Sequence, residues 1–365
     1  MLIASFTFLL FYAFFVLCLV KGIIPTPGRR QVNRDLPFVS VLVAARDEQR
    51  NIKSCLHALL AQKYPAHLLE IIVIDDNSTD ATAHIVREYA SKHKSILLLQ
   101  NSRAHGWKSS KKEALHTGLE RARGSIVLLT DADCRPTENW IASIVSYYTK
   151  DVGLVAGFSP QQSDGSDLWN AFLLTDSLAA ALVTATSIGL GRAATCAGRN
   201  LSYKKEAMQA IGGYEALPDT LSGDDDFVLQ RMARSEKWRL AFAFCAEAHV
   251  PARGPQTFSD LLKQKQRHLS AGKSFNPRIS LSFGAYHALN FSLWAGGLCG
   301  IVVQPLCTVS LLIKIMMDYF ILFYFSRKLK SLLPIRGFLL WEILFPLYHL
   351  LSAPVAFVGR AKWKN

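Results

Sequence analysis

The sequence predicts an α/β protein, a mainly parallel sheet covered by helices on both faces, held between apolar segments near either end of the chain. Three observations carry this prediction. Between Phe38 and Thr130, short β-branched apolar runs alternate with stretches of helical spacing, the pattern of strands that cross over through helices. From Met1 to Val20 there is no charged residue, which is long enough to cross a bilayer as a helix. Residues 283–325 are again apolar and long enough for two helices, with a turn at Gln304–Pro305.

Taken in order, "MLIASFTFLLFYAFFVLCLV" is followed by Lys21, Arg29 and Arg30. Basic residues after an apolar stretch, with none before it, predict an anchor and not a cleaved signal, and put the next domain on the cytoplasmic side. A linker over 30–37 leads to "FVSVLVAA" (38–45), a buried strand, and then to a helix with Ile52, Leu56, Leu59 and Leu60 on one face. "EIIVID" (70–75) is the second strand and "STDATAHIVREYA" a helix with capping residues at its start. "SILLLQ" (95–100) is the third strand, 109–123 the next helix, and "SIVLLT" (125–130) the fourth strand. Arg327, Lys328 and Lys330 mark a return to the cytoplasm after the apolar hairpin. Leu332–Val358 contains Arg336, Glu342, His349 and two prolines, and is followed by the basic tail "GRAKWKN". A full third span would put that tail outside, against its charge, so the segment reads either as a span or as an interfacial or re-entrant piece.

The 365 residues carry a formal charge of +13. With apolar anchors present, that charge points to an anionic membrane surface or a phosphorylated substrate and away from nucleic acid. The seven cysteines show no Cys-x-x-Cys spacing and no disulfide framework.

The fourth strand runs straight into "DADC", so Asp131 and Asp133 point the same way from a strand end. Alone, such a pair is more often a solvated turn. Here it lies beyond the carboxyl end of a parallel strand, where open α/β sheets bind ligands, together with Ala45–Glu48 and Asp75–Asp76. Two converging carboxylates can hold Mg²⁺ or Mn²⁺ beside a substrate phosphate.

With these residues in view, the chain resembles the membrane-bound members of glycosyltransferase family 2, which use the GT-A, Rossmann-like nucleotide-sugar fold. The resemblance runs in unbroken order through "VSVLVAARDEQRNI", "VIDDNSTDAT", "HGWKSSKKEALHTGLERARGSIVLLTDADCRP", "CAGRNLSYKKEAMQAIGGYE", "SGDDDFVLQRM" and "QKQRHLSAG". It departs at Gly223, where the family commonly has Glu, and at His268, where it commonly has Trp. The resemblance implies a catalytic domain over 37–255 after an anchor at 1–21. An interfacial amphipathic segment with the Gln-x-x-Arg-His element follows over 256–282, then membrane segments over 283–365. It further implies that Ala45, Arg46 and Glu48 line a uridine or guanine pocket, and that Asp76 accepts from a base N–H. Lys108 is the pocket lysine by position, with Lys111 and Lys112 left to solvent. Asp131 and Asp133 take the metal and the ribose–diphosphate edge. Gln264 and Arg267 clamp the diphosphate, Asp224 is the base with Asp225 its alternative, and Asp226 holds the loop or Arg267. The expected activity is inverting transfer of a sugar from a UDP- or GDP-linked donor to a lipid or lipid-linked acceptor at the cytoplasmic membrane face. The rival readings are a polysaccharide or polyprenyl-phosphate glycosyl synthase and a catalytically silent membrane scaffold.

Overall fold

The computed structural model describes residues 2–23 and 35–358; the linker basic residues Arg29 and Arg30 and the tail at Lys362–Lys364 lie outside them. Helix α1 (Leu2–Ile23) is followed by β1 (Val39–Ala45), α2 (Ile52–Leu60), β2 (Leu69–Asp75), α3 (Thr82–Lys92), β3 (Ile96–Gln100), α4 (Ser110–Arg121) and β4 (Ile126–Asp131). Then come α5 (Trp140–Val145), β5 (Val152–Gly157), β6 (Gln161–Gln162), α6 (Asp167–Gly189), β7 (Leu201–Lys204), α7 (Lys205–Ala210) and α8 (Asp224–Ala233). The chain ends with β8 (Arg239–Ala243), β9 (Ala252–Arg253), α9 (Phe258–Ala271), α10 (Pro277–Val303), α11 (Pro305–Lys328) and α12 (Ile335–Val358).

Seven strands form one sheet in the order β3-β2-β1-β4-β7-β5-β8, with β7 antiparallel to both neighbours and the other pairs parallel. All four expected strands are present, each within a residue of its expected bounds. Both faces of the sheet are buried because both are apolar. Leu42, Ile72, Ile74, Val127 and Leu129 face one core, and Val41, Val43, Ile71, Val73 and Leu128 face the other. The first core does not stop at the sheet. It continues through Phe172 and Leu182 of α6 into Ile321 and Phe325 of α11 and Phe338 and Trp341 of α12.

Among the described residues, five helices are long and apolar enough to cross a membrane, α6 in addition to α1, α10, α11 and α12. Sheet pairing argues against a crossing by α6. It joins β5 to β7, which are hydrogen-bonded side by side, and a crossing would need the non-helical stretch 190–197 to return through hydrocarbon with its backbone unsatisfied. We place α6 as the helix on which the sheet domain rests against the bundle. The segment after Lys330 forms a single helix, α12, through Pro346 and Pro354, so of the readings left open for it the re-entrant pair is not what folds.

α12 meets α6 at close range, because a side chain on Gly337 would place its Cβ 2.2 Å from the Ala171 carbonyl oxygen. Gly337→Leu is therefore expected to push the two helices apart, costing about 1–3 kcal/mol or more as overpacking. A lowered melting temperature of the full chain in detergent checks this, and an unchanged one refutes the packing.

Candidate active site

The register of three parallel strands builds the site. Ala45 pairs with Asp75, Ala44 pairs with Asp131, and Asp76 N donates to Ala45 O at 2.8 Å. The strands β1, β2 and β4 thus end together, and the acids after them share one edge. A cavity of about 580 Å³ opens beside this edge, lined at the sheet end by Lys111, Asp131, Arg199, Asp224, Asp225 and Arg267.

Asp131 is met by Lys111, whose Nζ stands 2.5 Å from Oδ1. Burial alone would raise the Asp131 carboxyl, but the Lys111 ammonium outweighs it and holds the group below the usual carboxylate range. Asp133 lacks such a cation: burial, with the Asp131 charge added, pushes it up to about 6. Its one hydrogen-bond partner among the described residues is the Cys134 thiol at 3.5 Å. Two hard-oxygen carboxylates, one of them short of positive charge, are a donor set suited to a divalent cation. Asp133 is the ligand this geometry favours, with Asp131 beside it.

The three acids after Gly223 behave differently although they are consecutive. Gly223 has φ 92°, a left-handed conformation that a Glu at this position would strain. Asp226 accepts from the Thr195 hydroxyl at 2.8 Å and Cys196 N at 2.9 Å, and so holds the 195–198 loop. Asp225 accepts from Gly198 N at 2.7 Å and faces the cavity. Asp224 accepts from the Ser109 hydroxyl at 2.8 Å through Oδ2, while its buried Oδ1 has no partner among the described residues. Burial pushes the Asp224 carboxyl up to about 7.

Gln264 and Arg267 lie on the cavity wall together, as their spacing on α9 predicts. Ala45 and Arg46 sit at the β1 end, where Arg46 is 3.9 Å from Asp76. Glu48 accepts from Asn51 Nδ2 at 2.8 Å, and its backbone N donates to the Thr82 hydroxyl at 2.7 Å.

Two expectations are corrected. Lys108 does not enter the cavity: its backbone N donates to Asp219 Oδ1 at 2.8 Å and its Nζ to Asp219 O at 3.3 Å, on the surface. The cause is the cap. Ser109 accepts from Lys112 N and starts α4 at Ser110, so Lys111, expected in solvent, points at the β4 end. Lys112 is buried as well, 4.0 Å over the Trp107 ring and 3.1 Å from Leu217 O. Asp76, expected to meet a base, is already engaged by Asn101 Nδ2 at 2.8 Å and by Arg103 at 3.2 Å. Base recognition there would need Arg103 to move. Sequence reasoning also passed over Arg199, which donates to Ser159 Oγ at 2.6 Å and faces Asp131 and Asp133 across the cavity. Its position inside the quoted "CAGRNLSY" element was the available signal.

A mostly parallel sheet with one reversed strand, carrying an acidic edge and a second acid cluster on α8 across the cavity, defines a glycosyltransferase of the GT-A class. The chain belongs to the glycosyltransferase-like family 2, whose model matches residues 37–271. It is 27% identical over 240 residues to glycosyltransferase AglE of Haloferax volcanii, covering 64% of this chain and 72% of that protein. It is 26% identical over 250 residues to the beta-monoglucosyldiacylglycerol synthase of a Nostoc species, covering 68% of this chain and 52% of that protein, so it spans about half the length of this relative. Among solved structures, the mannosyltransferase PcManGT of Pyrobaculum calidifontis, in complex with GDP-Man and Mn²⁺, superimposes with a TM-score of 0.55 at 20% identity over 94% of this chain and 96% of that one.

Asp224 gives a pH-dependent stability with a definite sign. Its carboxyl is raised to about 7 in the fold against about 3.9 in an unfolded chain. The folded state therefore holds a proton that the unfolded state has lost, and stability falls as pH rises from about 4 through 7. Asp224→Asn removes that loss. The variant should melt above the parent at pH 8, with the difference shrinking towards pH 4; a constant difference across this range would refute the assignment.

Proposed function

We propose that the chain is an inverting, metal-dependent glycosyltransferase that moves one sugar from a UDP- or GDP-linked donor to a lipid or lipid-linked hydroxyl at the cytoplasmic membrane face. The observation that carries this reading is the continuity of the cavity. The same space touches Asp131, Asp225 and Arg267 at the sheet edge and Phe283, His287 and His349 on α10 and α12. A water-soluble donor and a membrane-borne acceptor can meet only in such a place. A sequence relative that is a beta-monoglucosyldiacylglycerol synthase and a structural neighbour in complex with GDP-Man are in keeping with it.

The roles follow from the contacts. Ala45, Arg46 and Glu48 border the nucleoside. Mg²⁺ or Mn²⁺ held by Asp133, with Asp131, would supply Lewis-acid stabilisation of the departing nucleoside diphosphate. Arg267 presents a fork suited to bidentate diphosphate binding, and Gln264 stands one turn before it. Lys111 keeps Asp131 ionised. Asp224 is the base: its free Oδ1 takes the proton from the acceptor hydroxyl, the hydroxyl oxygen bonds to the anomeric carbon, and the electron pair of the breaking C–O bond leaves with the diphosphate. A single displacement of this kind inverts the anomeric centre, and among the described residues no activated Ser or Cys nucleophile accompanies the acids. Asp225, tethered to Gly198 N, is the alternative base.

A base must be unprotonated to work, so transfer should rise with pH up to about 7 and then level off, following Asp224. Asp224→Asn should lower transfer by about 10²–10⁴-fold with donor binding kept. If Asp225→Asn loses transfer while Asp224→Asn keeps it, the base is the neighbouring acid.

Donor-induced melting shifts across UDP- and GDP-sugars, with and without Mn²⁺, test the donor and the metal together. Asp133→Asn should abolish the Mn²⁺-dependent part of the shift while the unliganded protein melts normally; a shift that survives would sink the ligand assignment. For orientation, a cysteine introduced at Lys63, whose side chain is 64% exposed, should react with an impermeant thiol reagent only after cells are opened.

A further inference from the structure

Beyond the acids, the cavity changes character. It passes Lys265 and His268 on α9 and then runs between α6, α10 and α12, where Thr184, Phe283, Phe291 and Ala353 line it. Within this apolar wall stand two histidines, His287 on α10 and His349 on α12, with ring centroids 4.3 Å apart. His349 Nδ1 lies 2.9 Å from the Phe345 carbonyl oxygen. A carbonyl only accepts, so Nδ1 carries the hydrogen, and the neutral ring offers Nε2 to the cavity as an acceptor. His287 stacks on Phe345 and lies tilted against His349, and among the described residues its side chain makes no hydrogen bond.

The cations of this cavity are already distributed. Lys265, the one nearest the membrane helices, is 2.6 Å from Asp176 Oδ2. Asp176 also accepts from the Tyr348 hydroxyl at 2.6 Å and from Trp341 Nε1 at 3.2 Å, which ties α6, α9 and α12 together at this level. Arg199 and Arg267 belong to the acidic end, where both face Asp131. Among the described residues, an ionised phosphate headgroup would find at the histidines no cation outside an ion pair or the acidic end, and at His349 Nε2 an acceptor where it needs a donor. A hydroxyl finds what it needs there, an acceptor nitrogen for its O–H in apolar surroundings.

We propose that the His287–His349 pair is the headgroup site of the acceptor, and that the acceptor is an uncharged, hydroxyl-bearing lipid, glycerol- or sugar-headed, and not a lipid phosphate. This rests on the transferase reading above and narrows it. The headgroup hangs from the histidines, one hydroxyl reaches towards Asp224, and the chains lie along Phe283, Phe291 and Ala353.

The test uses the full-length protein in detergent with the donor that gives the largest melting shift. It is offered phosphatidylcholine vesicles carrying dioleoylglycerol, a monohexosyl diacylglycerol, or a polyprenyl monophosphate. Transfer should go to one of the two neutral lipids and not to the phosphate. His349→Phe and His287→Phe keep the ring volume and lose the nitrogens. Each should raise the acceptor KM about tenfold, the equivalent of one hydrogen bond, with the donor-induced melting shift unchanged. His349→Gln, which keeps an acceptor oxygen, should recover most of the loss, a rescue that a purely structural role would not give. Preferential glycosylation of the polyprenyl phosphate overturns the proposal, as does an unchanged acceptor KM in both Phe variants, with the lipid-transferase reading intact in either case. If donor is bound and hydrolysed and no lipid is glycosylated, the lipid-acceptor reading itself fails and takes this inference with it.

Discussion

Four carboxylates, Asp131, Asp224, Asp225 and Asp226, line one partly enclosed space, with Asp133 two residues after Asp131 and under its charge, and carboxylates do not tolerate such company uncompensated. How each is compensated decides what it does. Asp131 has the Lys111 ammonium, so it stays ionised and is fixed in place. Asp226 and Asp225 are satisfied by backbone N–H groups of the 195–198 loop, which makes them the pins that set that loop against α8. Asp224 has a single hydroxyl donor in a buried setting where the nearby Lys111 and Lys112 do not outweigh burial, and its answer is a proton held until near neutral pH. Asp133 is left with a thiol. The acid with least protein compensation is the one that a divalent cation would complete. Burial raises Asp226 as well as Asp224, but Asp226 is tied to the 195–198 loop, so Asp224, whose Oδ1 has no partner among the described residues, is the one placed to exchange a proton. The division of labour follows from electrostatics without appeal to any one residue's identity.

The second constraint is mechanical. The sheet domain and the membrane helices share one apolar core through α6, so the two parts are not tethered units that tumble independently. Asp176 on α6 carries this coupling in polar form, gathering Lys265, Tyr348 and Trp341 from α9 and α12. A buried acid with three partners from two other helices fixes their relative height, and α9 is the helix that bears Gln264 and Arg267. The position of Gln264 and Arg267, the proposed diphosphate clamp, is thus set by contacts made to the membrane bundle.

Much of this was legible in the sequence, and the parts that were not share a cause. The strands were readable because β-branched apolar runs buried on both faces leave few alternatives, and the Asp131–Asp133 edge followed from strand register. The lysine assignment failed by one turn because Lys108, Lys111 and Lys112 differ only in where α4 begins, and that depends on Ser109 capping Lys112 N. Asp76 was readable as a strand-end acid, but Arg103 lies in a loop with positive φ, and nothing in the spacing shows that it folds back onto that carboxylate. α6 is the largest omission. Its hydropathy suits a span, and only the pairing of β5 with β7, a long-range fact, argues that it stays on one side.

The histidine-bearing wall of the cavity is built from α10 and α12. α6 packs between the sheet and α12, residues of α9 line the cavity beside the acids, and α10 and α12 line its apolar part. In the proposed reading, an acceptor entering along α10 and α12 would reach the acids from the apolar end of the cavity, away from the strand ends that would hold the nucleoside. A displacement at an anomeric carbon requires the incoming oxygen and the departing diphosphate to lie on opposite faces of the sugar. In the proposed reading, the nucleotide-sugar comes to the strand ends on one side of the cavity and the acceptor to α10 and α12, which line its apolar part, with Asp224 on α8 and Arg267 on α9 in the wall that both would share.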